Sequence, residues 1–511
     1  MRHGLALLFL APTLGGCSLL YNPSNIPNPD PDAGEPDAEV IVDADPSMLA
    51  LTSVDPTVIL EGQGDGGSRR AIVVVAGDHI SETATITVTG GNVTAGTVTH
   101  ALNHKSIAIE LTAPVDTALA IGDVPLTITV QQSDGAGGMI TRTIPDATVT
   151  SGLVLRNLPE LTLTSTMLMR PAQTLTYSRI GLAAMNPPAL IALSGSDRME
   201  LRAVSSITLP SLSAVGGAAS GATGGPGVLG SCAGGAQGSV GGCSSQGGGG
   251  AGTGSTTAGG GGGGGGFGSM GTGGGGPMAG GAGSEIGDDF LVIYPGSGAA
   301  SNRASGGGGG GAPSLLGSAS GGGGGGGAIE ITAGGNVVVG TINVQGGAGA
   351  ASGSAGGGGG AGGSVLIRAG GTLMTTMILA KGGVGGALSS ASDGGAGGDG
   401  RVRWDSPVST APGSDVATHR GLSFAPATPL VVSTTNARIT VLGEPNAGFS
   451  FYTSQAGVDV DGATHTIGSN GSFEINVVLK GGLNKVCVTL AGGVRRSNEA
   501  ETCIDVAFLP S

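Results

Sequence analysis

His100 and His104 stand four residues apart, a spacing that offers two imidazoles to one metal ion only on a helix. The residues around them read as strand and turn, so no metal site is expected there. Asp459-Val460-Asp461-Gly462 opens like a calcium loop, but Thr464 fills the sixth place, where the sharp bend needs glycine. A turn of an all-β unit accounts for it better. Asp288 and Asp289, beside the run from Phe290 to Tyr294, could supply the paired carboxylates of glycoside hydrolysis. No second acidic cluster accompanies them, and a solvated strand end is the expectation. No lysine falls in the Gly-Lys-Ser/Thr frame of a phosphate loop, and neither a Gly-x-Ser-x-Gly elbow nor His-Glu-x-x-His occurs. The many Gly-x-Gly-x-x-Gly matches come from glycine homopolymer and open no helix. No catalytic residue, metal or cofactor is expected.

Cysteine is the residue type whose spacing does carry chemistry. Beyond Cys17 there are four, Cys232, Cys243, Cys487 and Cys503, an even number suited to an oxidising compartment. Cys487 sits in the alternation Val486, Val488, Leu490, and Cys503 precedes Ile504, Val506 and Phe508. Each thiol therefore lies opposite its strand's apolar row in a hairpin centred near Arg495, a parity that predicts a cross-strand disulfide. Cys232 and Cys243 would close a short glycine-rich loop. Zinc is the rival, but no histidine lies near and the spacing is not that of a ligand knuckle.

The elements that position these residues begin with export. Arg2 and His3 precede the apolar stretch from Leu5 to Leu10, and Leu14-Gly15-Gly16-Cys17 closes it. This pattern reads as a secretory signal over residues 1–17, too short to span a bilayer. Leu-Gly-Gly-Cys resembles the lipobox of bacterial lipoproteins, with Gly15 where Ala or Ser is usual. The resemblance implies that Cys17 becomes the lipidated first residue and that Ser18 directs sorting to the outer membrane. Residues 18–46 hold six prolines and a run of unpaired acidic side chains, which keeps such a segment extended and solvated as a tether.

Composition shapes the remainder. Of 511 residues 108 are glycine, aromatics are 3% and the net charge is −14. An acidic chain poor in aromatics lacks both the basic stripe and the stacking platforms of a nucleic-acid binder. Residues 47–150 alternate as short strands, and Ser53-Val54-Asp55-Pro56 with the strand Val73 to Ile80 resembles the immunoglobulin-like IPT/TIG domains. Residues 63–70 lengthen the turn of that pattern. Residues 424–511 give a third all-β unit, whose turns at 443–448, 471–475 and 479–484 resemble bacterial Ig-like repeat domains.

Between them, residues 151–408 carry a repeat. The stretch from Ala328 aligns without gaps on that from Ser364, Met199 aligns on Ile329, and Arg401 to Trp404 begins a fourth copy. Each copy is a strand pair too small to bury its own face, so stacking into a β-solenoid-like core is expected, with Trp404 over the last rung. Glu330, Thr332, Arg368, Asn343 and Lys381 fall at outward positions, and Asp at Thr332 should be tolerated. Glycine runs at 259–266, 306–311 and 321–327 interrupt the copies. They are floppy linkers or left-handed extended helices that bond sideways. The region resembles glycine-rich segments of myxobacterial surface lipoproteins.

The fold expected is mainly β: two Ig-like sandwiches flanking a glycine-rich solenoid-like region with polyglycine loops. The parts suit a lipid-anchored outer-membrane protein, surface-exposed, with a structural or adhesive role and no enzymatic one. Its partners would be the membrane, through the lipid, and extracellular polysaccharide or other surface proteins. The alternative is a β-helix lyase or hydrolase acting on polysaccharide, which needs charge clustered on one face of the rungs.

Overall fold

The computed structural model describes residues 48–511 except 148, 170–174, 185–186, 196, 243–247, 256–257, 260, 286–319, 353–354, 389–391, 408–409, 427, 429, 456–457 and 491–500. The described residues form an all-β chain. None of them belongs to a helix long and apolar enough to cross a membrane.

The first module is two sheets sharing one core. Ala50–Asp55, Ala71–Asp78, Ser106–Thr112 and Thr94–His100 make one antiparallel sheet. Val58–Leu60, Leu153–Asn157, Gly122–Ser133 and Thr85–Thr89 make the other, with Met139–Ile144 on Gly122–Ser133. Leu153–Asn157 carries the pairing past residue 150. Val73, Val75, Ile107 and Ile109 meet Ile128, Val130 and Leu155 between the sheets. Period-two alternation turns these residues inward, and it should leave Ile72 and Val74 facing water. They are buried instead, against Ala507 and Leu509 of the third module. That second contact is why residues 71–76 read as one unbroken apolar run.

In the middle, Thr176–Tyr177, Met199–Ala203, Ala328–Ala333, Ser364–Ala369, Arg401–Asp405 and Thr418–Arg420 stack in parallel. A second sheet stacks Leu161–Leu163, Ile180–Leu182, Ile207–Leu209, Val337–Asn343 and Leu373–Leu379, also in parallel. The repeat offset is the ladder register itself, since Ala328 pairs with Ser364 and Val337 with Leu373. Leu201, Ile331, Ile367 and Trp404 thus form one inward column, with Ile207, Val337 and Ile342 among the residues facing it. Trp404 does not cover the last rung as expected. Thr418–Arg420 adds another, and the Arg420 guanidinium lies 5.1 Å from the indole centroid.

From Met199–Ala203 to Arg401–Asp405 each rung is joined to the next through glycine-rich segments, and the described runs are hydrogen-bonded to one another. Gly356, Gly359 and Gly362 donate to the carbonyls of Ser392, Gly395 and Gly398 at 2.8–3.0 Å. Gly357, Gly360 and Gly363 donate to Ala350, Gly347 and Val344 at 2.8–2.9 Å. The carbonyls of Gly358 and Ala361 accept from Gly323 and Gly326. A bonding direction that recurs every third residue is the signature of the left-handed extended helix with three residues per turn. Residues 356–363 also bond to the runs at 262–265 and 380–386, and they are buried throughout. Here the core consists of peptide groups rather than side chains, and sideways bonds satisfy buried amides that water cannot reach. Runs 306–311 and part of 259–266 lie outside the described residues.

The third module pairs Ser423–Phe424, Asn436–Leu442 and Ser472–Val478 in one sheet. Val431–Val432, Glu501–Phe508, Gly482–Leu490, Gly448–Gln455 and Val458–Thr466 form the other. Ile439, Val441, Phe449, Ile475, Val486 and Val488 fill the space between them.

Candidate functional site

Parity on the first parallel sheet turns Glu200 and Arg202, Glu330 and Thr332, Leu366 and Arg368, and Arg403 and Asp405 away from the central core. Those positions are not the solvated set expected from the repeat. Glu330 is fully buried, and Arg403 and Asp405 nearly so. The reason is that neighbouring charges close over one another. Glu330 lies 3.8 Å from Arg198 and 3.5 Å from Arg202, and Arg202 also pairs with Glu200. Asp405 accepts two bonds from Arg403, at 2.8 and 2.6 Å, and pairs with Arg368 at 3.4 Å. Burial pushes the Glu330 carboxyl up against the opposing pull of Arg368, Arg198 and Arg202. Of the other outward positions, Thr332 and Arg368 are half-buried, as is Asn343 on the second sheet, while Lys381 is exposed.

The long turn of the first module docks on these rungs. Asn336 N–H donates to Gly66 carbonyl at 3.0 Å, and Ser68 Oγ donates to Gly62 carbonyl at 2.6 Å. Gly62 requires φ +91° and lies so near Ser205 that a Cβ would collide with it. The turn is anchored at its base by Glu61, which is buried and accepts from the amides of Asp116 and Leu158. Docking carries Arg69 to a cleft where all three modules meet. The cleft has a volume of about 410 Å³ and is lined by Arg69, Thr332, Arg368, Asp405, Ser423, Phe424 and Glu501, among others. A second cavity of about 440 Å³ shares Arg69, Gly370 and Pro407 with it.

Cys487 and Cys503 are directly opposite in the ladder and form a disulfide, with Cα atoms 4.1 Å apart. Cys232 is buried and disulfide-bonded. Cys17, Cys243, Asp288, Asp289 and the hairpin apex near Arg495 lie outside the described residues. His100 ends a strand, whereas His104 sits in the following turn with its Nδ1 3.0 Å from the Ile80 carbonyl. Asp459 and Asp461 fall within the strand Val458–Thr466, not in a turn. Among the described residues, only Cys487, Glu501 and Cys503 bring three potential ligand atoms within 4.8 Å. Two of those atoms are joined to each other, and metals bind thiolates. Glu501 instead accepts from the Tyr452 hydroxyl at 2.5 Å, and Cys503 lines the cleft. Removing both sulfurs as Cys487→Ala/Cys503→Ala should cost about 3 kcal/mol, because the bond closes a short loop in the unfolded chain. Thermal unfolding of the double variant beside the oxidised parent measures this, and equal midpoints would contradict it.

Reading the sequence missed Arg69 and the cleft. The lengthened turn at residues 63–70 was the available signal, since binding residues are disproportionately carried on loops held by a rigid scaffold. Comparison with models of known protein families, with curated proteins and with solved structures finds no match.

Proposed function

We propose that this chain is a lipid-anchored protein of the cell envelope, displayed at the surface in a non-enzymatic structural or adhesive role. The lattice of glycine runs is the observation that supports this reading most. A backbone bonded sideways to several other rungs resists local opening, and local opening is what exposes a chain to proteases outside the cell. The charged groups on the outer face of the rungs are tied to one another as ion pairs, an arrangement suited to holding layers together. In this reading Cys17 carries the lipid and residues 18–46 lift the body off the membrane. Extracellular polysaccharide or other surface proteins are its partners, and nucleic acid is not.

Replacing Cys17 with Ser tests the anchoring. A single acyl chain holds only marginally, so the diacylated cysteine is what makes attachment stable. Cys17→Ser should move the protein from the membrane pellet to the soluble fraction. A variant that still pellets with the membrane, at parental level, would remove this reading of its location.

A further inference from the structure

We propose that the cleft between the three modules binds a sugar bearing a carboxylate, with the Arg69 guanidinium as the group that grips the anion. The proposal extends the adhesive reading to a ligand class and rests on it only for where such a polymer is met.

Arg69 differs from every other charged group lining the cleft. Arg368 and Asp405 are paired with each other, and Glu501 accepts from Tyr452. Among the described residues Arg69 has no carboxylate partner, and its side chain makes one bond, from Nη2 to the Ala425 carbonyl at 3.1 Å. A guanidinium offers five N–H donors in a planar fork that matches a carboxylate. Most of that fork is therefore unused, and Arg69 lines both cavities. Charges withdrawn from water are normally paired. Burial pulls the pKa of Arg69 down, and no neighbouring carboxylate opposes it.

The space around Arg69 selects the rest of the ligand. Cavities of about 410 and 440 Å³ adjoin at this residue, far more room than a single ion needs and within the size of small-molecule sites. Phe424 and Leu60 give the first cavity apolar faces for ring C–H groups, and Gln63 and Ser68 give it side chains that can bond hydroxyls. Two cavities meeting at one cation suit a chain molecule that places an acidic unit at the junction and continues to both sides. Uronic-acid polymers have that chemistry.

The full chain and its Arg69→Gln and Arg69→Lys variants can be titrated calorimetrically with trimers of galacturonate, glucuronate and mannuronate. Galactose trimer and acetate serve as controls. At least one uronate trimer should bind the parent, and galactose trimer should bind at least about tenfold more weakly, the effect of one charge-assisted pair. Arg69→Gln should lose the preference with its unfolding temperature unchanged, and Arg69→Lys should keep part of it. No binding of any uronate trimer, or equal binding by Arg69→Gln, overturns the proposal. Acetate binding as tightly as the trimers would make this a site for free carboxylates and overturn the sugar assignment. Failure on these counts would leave the anchoring result at Cys17 standing, so the two readings fall separately.

Discussion

Ile331→Asp and Ile367→Asp should each unfold the central body. Both side chains are fully buried, and they stack directly on one another between Leu201 and Trp404. An aspartate in that column has no arginine beside it, because Arg202, Arg368 and Arg403 face outward and Arg420, which continues the column, lies beyond Trp404. The new carboxyl must either be buried charged or take up a proton, while the packing of the lost isoleucine vanishes as well. Together these cost more than about 5 kcal/mol, a large part of the stability of an ordinary domain. Thr208→Asp is the control: its side chain is exposed on the outer face of the second sheet and should change stability by less than about 0.5 kcal/mol. Limited proteolysis with mass mapping distinguishes the two outcomes. Equal protease resistance of Ile331→Asp and Thr208→Asp would refute the stacked core. Thr332 cannot serve as that control, contrary to the reading of its sequence position, because it is half-buried and lines the cleft.

The contrast between Ile331 and Thr332 locates what sequence alone could convey. Inward residues were legible because strand parity and an ungapped repeat both report on them, and a parallel ladder preserves the repeat offset as its register. The Cys487–Cys503 pair was legible for the same reason, parity within two neighbouring strands. Outward residues obey no such rule. Whether Glu330 meets water depends on Arg198, Arg202 and whatever else packs over that face, which is tertiary information. The cleft lies further still from local pattern, since Arg69, Arg368 and Ser423 come from three modules and meet only after all have docked. Glycine runs posed a different problem. Their composition is the same in a flexible linker and in a bonded lattice, and only the positions of neighbouring runs separate the two.

Gly360→Ala is expected to destabilise the central body by about 3 kcal/mol, at the upper end of what overpacking costs. The methyl group would fall on the backbone carbonyl of Gly324, which cannot rotate aside as a side chain can. Moving the run away would also stretch the bonds from Gly360 to the Gly347 carbonyl and from Gly383 to the Gly360 carbonyl. Both ends of each bond are buried, and leaving a buried amide without a partner costs roughly 1–3 kcal/mol. Gly281→Ala is the same chemical change where a Cβ meets nothing within 4 Å. There it should be neutral or stabilising by up to about 1 kcal/mol, since alanine restricts the unfolded chain. In a unit the size of the central body the first variant should lower the unfolding midpoint by several degrees, at roughly 2 °C per kcal/mol, while the second should not lower it. A flexible-linker view predicts no such difference, since neither variant should then lower the midpoint. Differential scanning calorimetry of the two variants therefore separates a lattice from a linker. The lattice further demands that Gly363→Ala, whose methyl would meet the Gly327 carbonyl, behave like Gly360→Ala. Two buried glycines in one run that differed sharply would mean that the hydrogen bonds between runs do not hold them at fixed separation.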